Sequence, residues 1–285
     1  MISHSRRAKY ELAQIIEQYG ADYKSTHKIS WLQEKTLQAI ADCRTYRLGG
    51  HVDGCTSCGH IMVPYNSCRN MDFPKCQTTH REMWVIGRKE ELLNVPYYHV
   101  VFTIPDSLHC YCQLYPRLMY DILFRASKET LFSLGRDHKY MGADMGCISI
   151  LHTWGQNLQL HPHIHMIVPA GGMSRDGIWK STRRDGNFLF PIKAMSIIFK
   201  HKFMAELCQM TKGMNKPVKP QIRKKLYAQN WNVYAKQPFY GPEQVIEHLA
   251  RYSHKIAISN HRIKSISGGQ VTFDYKDYKK GGKKA

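Results

Sequence analysis

Three histidines stand at alternating positions in the apolar stretch "HPHIHMIV", residues 161–168. Side chains alternate across a strand, so His163 and His165 share one face while Ile164 turns to the other. His161 has the same parity, but Pro162 is expected to break the strand between them. Two neighbouring imidazoles repel when protonated and need partners when buried. A divalent ion held by both meets both demands. The competing reading is a pair of surface histidines on an edge strand. Ile164, Met166, Ile167 and Val168 argue against it, because such a run belongs in a core.

A second constellation is made of thiols. Five of the nine cysteines fall between Cys43 and Cys76. "CTSC" at 55–58 is a C-x-x-C pair, the half-site of a structural zinc knuckle, whose thiolates converge on one tetrahedral ion. The second pair is incomplete: "SCRNMDFPKCQ" supplies Cys68 and Cys76, but Phe73 stands where a second C-x-x-C needs its first cysteine. Cys68, Cys43, His51, His60 or His80 could supply the missing ligand, with Cys68 the first choice. The expected set is Cys55, Cys58, Cys68 and Cys76. A decayed ribbon held by packing alone, or free thiols, is the alternative. Cys110, Cys112, Cys147 and Cys208 show no grouping and read as core or incidental residues.

A third constellation is a tyrosine. In "VIEHLARYSHKIAIS", Tyr252 follows His248 by four residues and precedes Lys255 by three, so a helix sets all three on one face. Val245, Ile246, Leu249, Ile256 and Ile258 give that helix its apolar side. A phenol with an ordinary pKa of about 10 is a weak nucleophile at neutral pH. A nearby ammonium and a metal-polarised phosphorus would lower the barrier to its attack. With 17 tyrosines in the chain, a packing role is the default for this residue taken by itself.

The elements around these residues alternate between helix and strand. Residues 1–42 hold two helix-like stretches, "AKYELAQIIEQYG" and "WLQEKTLQAIADC". Residues 43–80 are rich in Cys, Gly, His and Asn, as a small metal-stapled module requires. "REMWVIGRKEELL", residues 114–134, 193–213 and 221–229 carry helical periodicity. "YYHVVFTIP", "CISILHTWG", "HIHMIVPAGG" and "WNVYAKQPF" read as strands, the middle two as an antiparallel pair. "GIWKSTRRDGNFLF" suggests a hairpin, and "GPEQ" opens a helix. The tail "YKDYKKGGKKA" is expected to fray.

The chain has 285 residues, enough for a sizeable core, and 43% are hydrophobic, which excludes a disordered chain. No apolar run approaches the roughly 18 residues of a membrane span. The N-terminus lacks a signal-peptide apolar core, which favours the cytoplasm. The excess of 41 Lys and Arg over 22 Asp and Glu gives a formal charge of +19. That excess attracts a polyanion, and a phosphate backbone suits it better than a membrane surface, since no strongly basic amphipathic helix is present.

Taken together and in order, "LGGHVDGCTSCG", "NSCRNMDFPKCQ", "VPYYHVVFTIPDSL", "WGQNLQLHPHIHMIVPAGG", "FLFPI", "WNVYAKQPFYGPEQVIEHLARYSHKIAISNHRI" and "VTFDYKDY" resemble the rolling-circle transposases of the insertion sequence 91 family, members of the HUH endonuclease superfamily. The resemblance runs from about Gly49 to Tyr278. It implies an α+β chain in which a zinc-ribbon-like module (43–80) precedes an antiparallel-sheet HUH nuclease domain with flanking helices (81–270), between the N-terminal helical segment (1–42) and the lysine-rich tail (271–285) read from periodicity and composition. It further implies that the His-x-His strand is central, with "VVFTIP" beside it. His163 and His165 would hold Mg²⁺ or Mn²⁺ against the scissile phosphate of single-stranded DNA. Tyr252 would attack, leaving a 5′-phosphotyrosine and a free 3′-OH, with Lys255 beside it. His161, then Gln156, then His248 are the candidates for a third metal ligand. The implied partners are element ends with hairpins and target DNA, met at the nucleoid.

Two departures from the family pattern stand out. Many members carry two tyrosines four residues apart, whereas His248 occupies the first position here, as in single-tyrosine relatives. Members usually continue well past "VTFDYKDY", so the chain is expected to be a truncated product. A replication initiator or relaxase shares His-x-His and Tyr without this motif set. A non-catalytic zinc-dependent DNA-binding protein is the remaining alternative.

Overall fold

The computed structural model describes residues 8–70, 73, 75–183, 188–213, 218–239, 257–277 and 283–284. The chain divides into two compact units, one of residues 1–84, 156–158 and 256–285, the other of residues 85–155 and 159–255. The first unit opens with helices α1 (Leu12–Thr26) and α2 (Trp31–Asp42). Each begins with a reciprocal cap. In α2, Ser30 Oγ accepts the Gln33 N–H at 3.3 Å while Gln33 Oε1 accepts the Ser30 N–H at 2.7 Å. Two of the helix's free N-terminal donors are thereby satisfied, and "SWLQ" is the sequence signature of that arrangement. Leu12, Ala13 and Ile16 pack on a small core of Ile40, Cys43, Phe73 and Cys76. The strands β1 (Asp53–Gly54) and β2 (Ile61–Met62) form a short antiparallel hairpin. Helix α3 (Gln77–Lys89) starts directly after Cys76, four residues earlier than "REMWVIGRKEELL" suggests.

The second unit is built on β3 (Tyr97–Thr103), the short helix α4 (His109–Leu114), α5 (Pro116–Arg136), β4 (Ile148–Trp154), β5 (Leu160–Pro169), β6 (Gly171–Met173), β7 (Trp179–Ser181), α6 (Ile192–Gly213), α7 (Pro220–Ala228) and β8 (Val233–Phe239). Pro116 at the first turn of α5 has no N–H to lose there, so the long helix starts at that residue. The main sheet has the order β4-β5-β3-β8, antiparallel throughout. The His-x-His strand β5 is thus central, with "VVFTIP" beside it. Phe102 pairs with Ile164, Val100 with Met166 and Tyr98 with Val168. This face is buried in one core with Met119, Ile122 and Leu123 of α5 and Phe199 and Phe203 of α6.

Each such side chain, fully buried, contributes roughly 1.5–3 kcal/mol. A one-residue slip would forfeit all of it, so the apolar face fixes the register and turns His163 and His165 to the opposite face. β5 runs unbroken through Pro162. The ladder to β3 ends at the Thr103–His163 pair, and that to β4 shifts register between His152 and Trp154. No ladder bond is demanded of Pro162, which is why the expected break does not occur.

The expected hairpin over 177–190 is differently built. Trp179–Ser181 pairs back onto Gly171–Met173, and among the described residues Arg183 meets Phe188 through an isolated bridge. Further along, β9 (Ile263–Ser267) and β10 (Gln270–Phe273) are joined by Gly268 and Gly269 at φ +57° and +75°, the left-handed pair that a tight hairpin requires. In the tail, β11 (Lys276–Asp277) pairs with β12 (Lys283–Lys284), where fraying was expected, because backbone pairing needs no apolar side chain. Within the first unit, Asn260 Oδ1 accepts the Leu12 N–H at 3.1 Å and caps α1. Among the described residues no helix is long and apolar enough to cross a membrane.

Candidate active site

The polar face of the main sheet gathers histidines from three strands. His163 and His165 of β5 are joined by His152 of β4, the direct cross-strand partner of His163. One ring nitrogen or another of each of these three lies within 4.8 Å of the others. The His152 and His165 rings are 4.4 Å apart between centroids, and those of His163 and His165 are 4.8 Å apart. His165 and His152 are 8% and 7% exposed, and His99 of β3, behind them, is 4% exposed.

The hydrogen bonds orient the rings. His163 Nδ1 donates to the carbonyl oxygen of His161 at 2.6 Å, which leaves Nε2 as the lone-pair nitrogen. His165 Nδ1 lies 2.7 Å from His99 Nε2, with the two rings stacked at 10°. With the proton on His165 Nδ1, its Nε2 also presents a lone pair. The two Nε2 atoms are 3.1 Å apart. Two nitrogens each about 2.1 Å from one ion, and so separated, subtend roughly 95°, the angle of neighbouring ligands in an octahedral site. Each of these two rings has its far nitrogen held by a partner, as metal-bound imidazoles generally do.

The thiols cluster in the first unit. Cys43, Cys68 and Cys76 bring their sulfurs together, with Cys43 to Cys76 at 3.3 Å and Cys68 to Cys76 at 3.6 Å. Thiolates about 2.3 Å from a tetrahedral zinc sit roughly 3.8 Å apart, so the three suit one ion with little movement. The Cys68 N–H points at Cys43 Sγ (3.3 Å) and the Asn70 N–H at Cys68 Sγ (3.4 Å). The latter turn needs Arg69 at φ +51°. Burial pushes the Cys68 thiol up to about 12 and raises Cys43 as well. Burial acts the same way on Cys76, but bonds from the Cys43 and Cys68 thiols outweigh it and hold Cys76 below the ordinary thiol value. Phe73, 1% exposed, packs in the same cluster.

The residues singled out from sequence are thus partly regrouped. Cys68 and Cys76 come together with Cys43. Cys55 and Cys58 stand apart from that group, exposed on the turn between β1 and β2, where N–H groups of Ser57 and Cys58 lower the Cys55 thiol. His163 and His165 come together as expected, but the third histidine of the group is His152. His161, the first choice for that position, joins Asp106 and His109 instead. The Gln156 carbonyl accepts a bond from Arg262. Tyr252, Lys255 and His248 lie outside the described residues. His99 and His152 went unnoticed because each is a lone histidine in an apolar strand. Only the strand pairing reveals that they share a face with His165.

Residues 15–104 match the family model described as "Transposase zinc-binding domain", and residues 146–285 match that described as "Putative transposase". The chain is 40% identical over 288 residues to "Putative transposase y4qJ" of Sinorhizobium fredii, across 96% of this chain and 72% of that relative. It is 28% identical over 264 residues to the transposase for insertion sequence element IS801 of Pseudomonas savastanoi pv. phaseolicola, across 87% of this chain and 62% of that one. Among solved structures, the relaxase TrwC complexed with a 27-mer DNA is similar at a TM-score of 0.33 and 13% identity, over 39% of this chain and 44% of that one. With a zinc-binding segment followed by a transposase segment, and a 40% identical relative matched over most of its length, the chain belongs to the insertion sequence 91 family of transposases.

Proposed function

We propose that this transposase nicks and rejoins single-stranded DNA through a 5′-phosphotyrosine during rolling-circle-type transposition. The observation that carries the reading is the convergence of His152, His163 and His165 on the central strands, with two Nε2 atoms 3.1 Å apart. Those three imidazoles would hold a divalent ion, Mg²⁺ or Mn²⁺ in this reading. When bound, the ion supplies positive charge to a non-bridging oxygen of the scissile phosphate. His161 and His99 act as positioning residues: the His161 carbonyl and the His99 ring hold the Nδ1 atoms of His163 and His165, so that both Nε2 atoms face one point.

Tyr252 is proposed as the nucleophile on sequence grounds. Its Oη would form a bond to phosphorus as the bond to O3′ breaks, the phenolic proton leaving and the departing 3′ oxygen gaining one. Lys255, one turn on, would favour the phenolate. Attack by a second 3′-OH on the phosphotyrosine reverses these steps and restores the tyrosine, so no external energy source is needed to rejoin the strand. The +19 charge supplies general affinity for the phosphate backbone. Cys43, Cys68 and Cys76 are proposed to hold a structural zinc, with Cys55 and Cys58 a separate C-x-x-C half-site.

The test is adduct trapping. Full-length protein incubated with a hairpin-bearing single-stranded oligonucleotide and Mn²⁺ should give a covalent species on a denaturing gel, mapped by mass spectrometry to Tyr252. Tyr252→Phe should bind the oligonucleotide and form none. A DNA-linked peptide lacking Tyr252, or unchanged cleavage by Tyr252→Phe, would overturn the assignment.

A further inference from the structure

A second constellation of metal-ligating side chains lies in the unit that carries the three-histidine group. Asp106 ends the "FTIPD" segment after β3 and opens a single 3-10 turn. His109, three residues on, begins α4. His161 comes from the start of β5, more than 50 residues later in the sequence. A carboxylate oxygen and one nitrogen from each ring lie within 4.8 Å of one another. His109 Nε2 is 3.6 Å from Asp106 Oδ1, too long for a hydrogen bond. That nitrogen is nevertheless shut off from solvent and has no hydrogen-bond partner. A buried ring nitrogen left unpaired is costly, so its orientation calls for a ligand. Asp106 is 87% exposed, which leaves the constellation open to solution on one side.

The geometry points to a second divalent-cation site at Asp106, His109 and His161. Two imidazoles and one carboxylate suit a first-row transition ion such as Zn²⁺, Co²⁺ or Mn²⁺ better than Mg²⁺, which prefers oxygen ligands. The site adjoins the three-histidine group: the His161 and His163 rings are 5.0 Å apart, and the His161 carbonyl holds His163 Nδ1. An ion on His161 therefore fixes the segment that orients His163. It also places a second positive charge beside the position proposed for the phosphate, as paired-metal phosphodiesterases do. The inference stands on its own residues and does not require the three-histidine reading.

Cobalt titration distinguishes the two. Full-length protein carrying one equivalent of zinc, to fill the thiolate cluster, should take up two further Co²⁺ per chain, read from its d–d absorption. The absence of thiolate-to-cobalt bands would show that the cysteines are not involved. Asp106→Asn alters an exposed side chain and leaves the fold intact; it should reduce the uptake from two ions to one. His109→Gln should do the same, and His165→Ala should remove the other ion. Circular dichroism checks that each variant is folded. One Co²⁺ in the parent protein, lost in His165→Ala and retained in Asp106→Asn and His109→Gln, would overturn the second site and leave the first standing. One ion lost only in Asp106→Asn and His109→Gln would uphold this site and sink the three-histidine reading. No uptake would overturn both.

Discussion

Replacing His99 by alanine is expected to weaken metal binding at a site that His99 does not itself reach. His99 Nε2 sits 2.7 Å from His165 Nδ1, both rings are buried, and they stack with centroids 4.9 Å apart. Without that partner, His165 can turn about its side chain or carry its proton on Nε2, and either change withdraws the lone pair from the ion. Partners of this kind are worth about 10–100-fold in metal affinity. That range corresponds to roughly 1.4–2.7 kcal/mol. The assay is the Mn²⁺ concentration giving half-maximal adduct, measured beside Mn²⁺ affinity by calorimetry. The half-maximal concentration and the calorimetric dissociation constant should each rise 10–100-fold in His99→Ala, while the plateau rate at saturating metal changes little. His99→Gln can still accept from Nδ1 through its amide oxygen, so it should recover most of the loss. A His99→Ala protein whose half-maximal Mn²⁺ stays within twofold of the parent, or a His99→Gln protein as impaired as His99→Ala, would refute the positioning role.

Zinc affinity of the thiolate cluster should fall steeply with acid. Cys43 and Cys68 are held above the ordinary thiol value, so both are protonated at neutral pH without metal, and zinc must expel both protons. Each displaced proton is worth about tenfold per pH unit, so chelator competition should show a loss of at least roughly a hundredfold per unit below neutrality, and more where Cys76 also gives up a proton; a tenfold slope would show that only one proton is displaced. Phe73→Cys should lower the melting temperature of the metal-free protein, since emptying a buried phenylalanine site costs about 3 kcal/mol or more. The zinc-saturated variant should recover that loss through a fourth thiolate, and an equal deficit with and without zinc would show that position 73 does not face the ion. Gly172→Ala should destabilise the second unit. A Cβ there would fall 2.3 Å from the Asp144 carbonyl oxygen, which is bonded to the Met173 N–H at 2.9 Å. A cost of about 1–3 kcal/mol is expected, readable as a drop of several degrees in thermal melting.

How much was legible in advance differs from residue to residue. The alternation of Ile164, Met166 and Val168 with His163 and His165 determined that the strand has an apolar face and a histidine face, since the period of a strand is fixed by backbone geometry. Two-residue spacing likewise made Tyr98, Val100 and Phe102 a matching face, and "SWLQ" carried its own helix cap. These are local matters, settled within a few residues. The resemblance in motif order identified the family. The neighbours of β5 were expected from sequence but their register was not, and the register decided the third histidine: His152 sits opposite His163 only because β4 pairs with β5 in this register. The β3–β5 pairing brings His99 behind His165, and His161 is left to Asp106 and His109. Nor could spacing show that Cys43, 25 residues from Cys68, closes the thiol cluster while the C-x-x-C pair stays on its own turn. Ligand sets assembled from distant segments depend on how chain segments return to one another, and that is determined by the packing of the whole core rather than by neighbours along the chain.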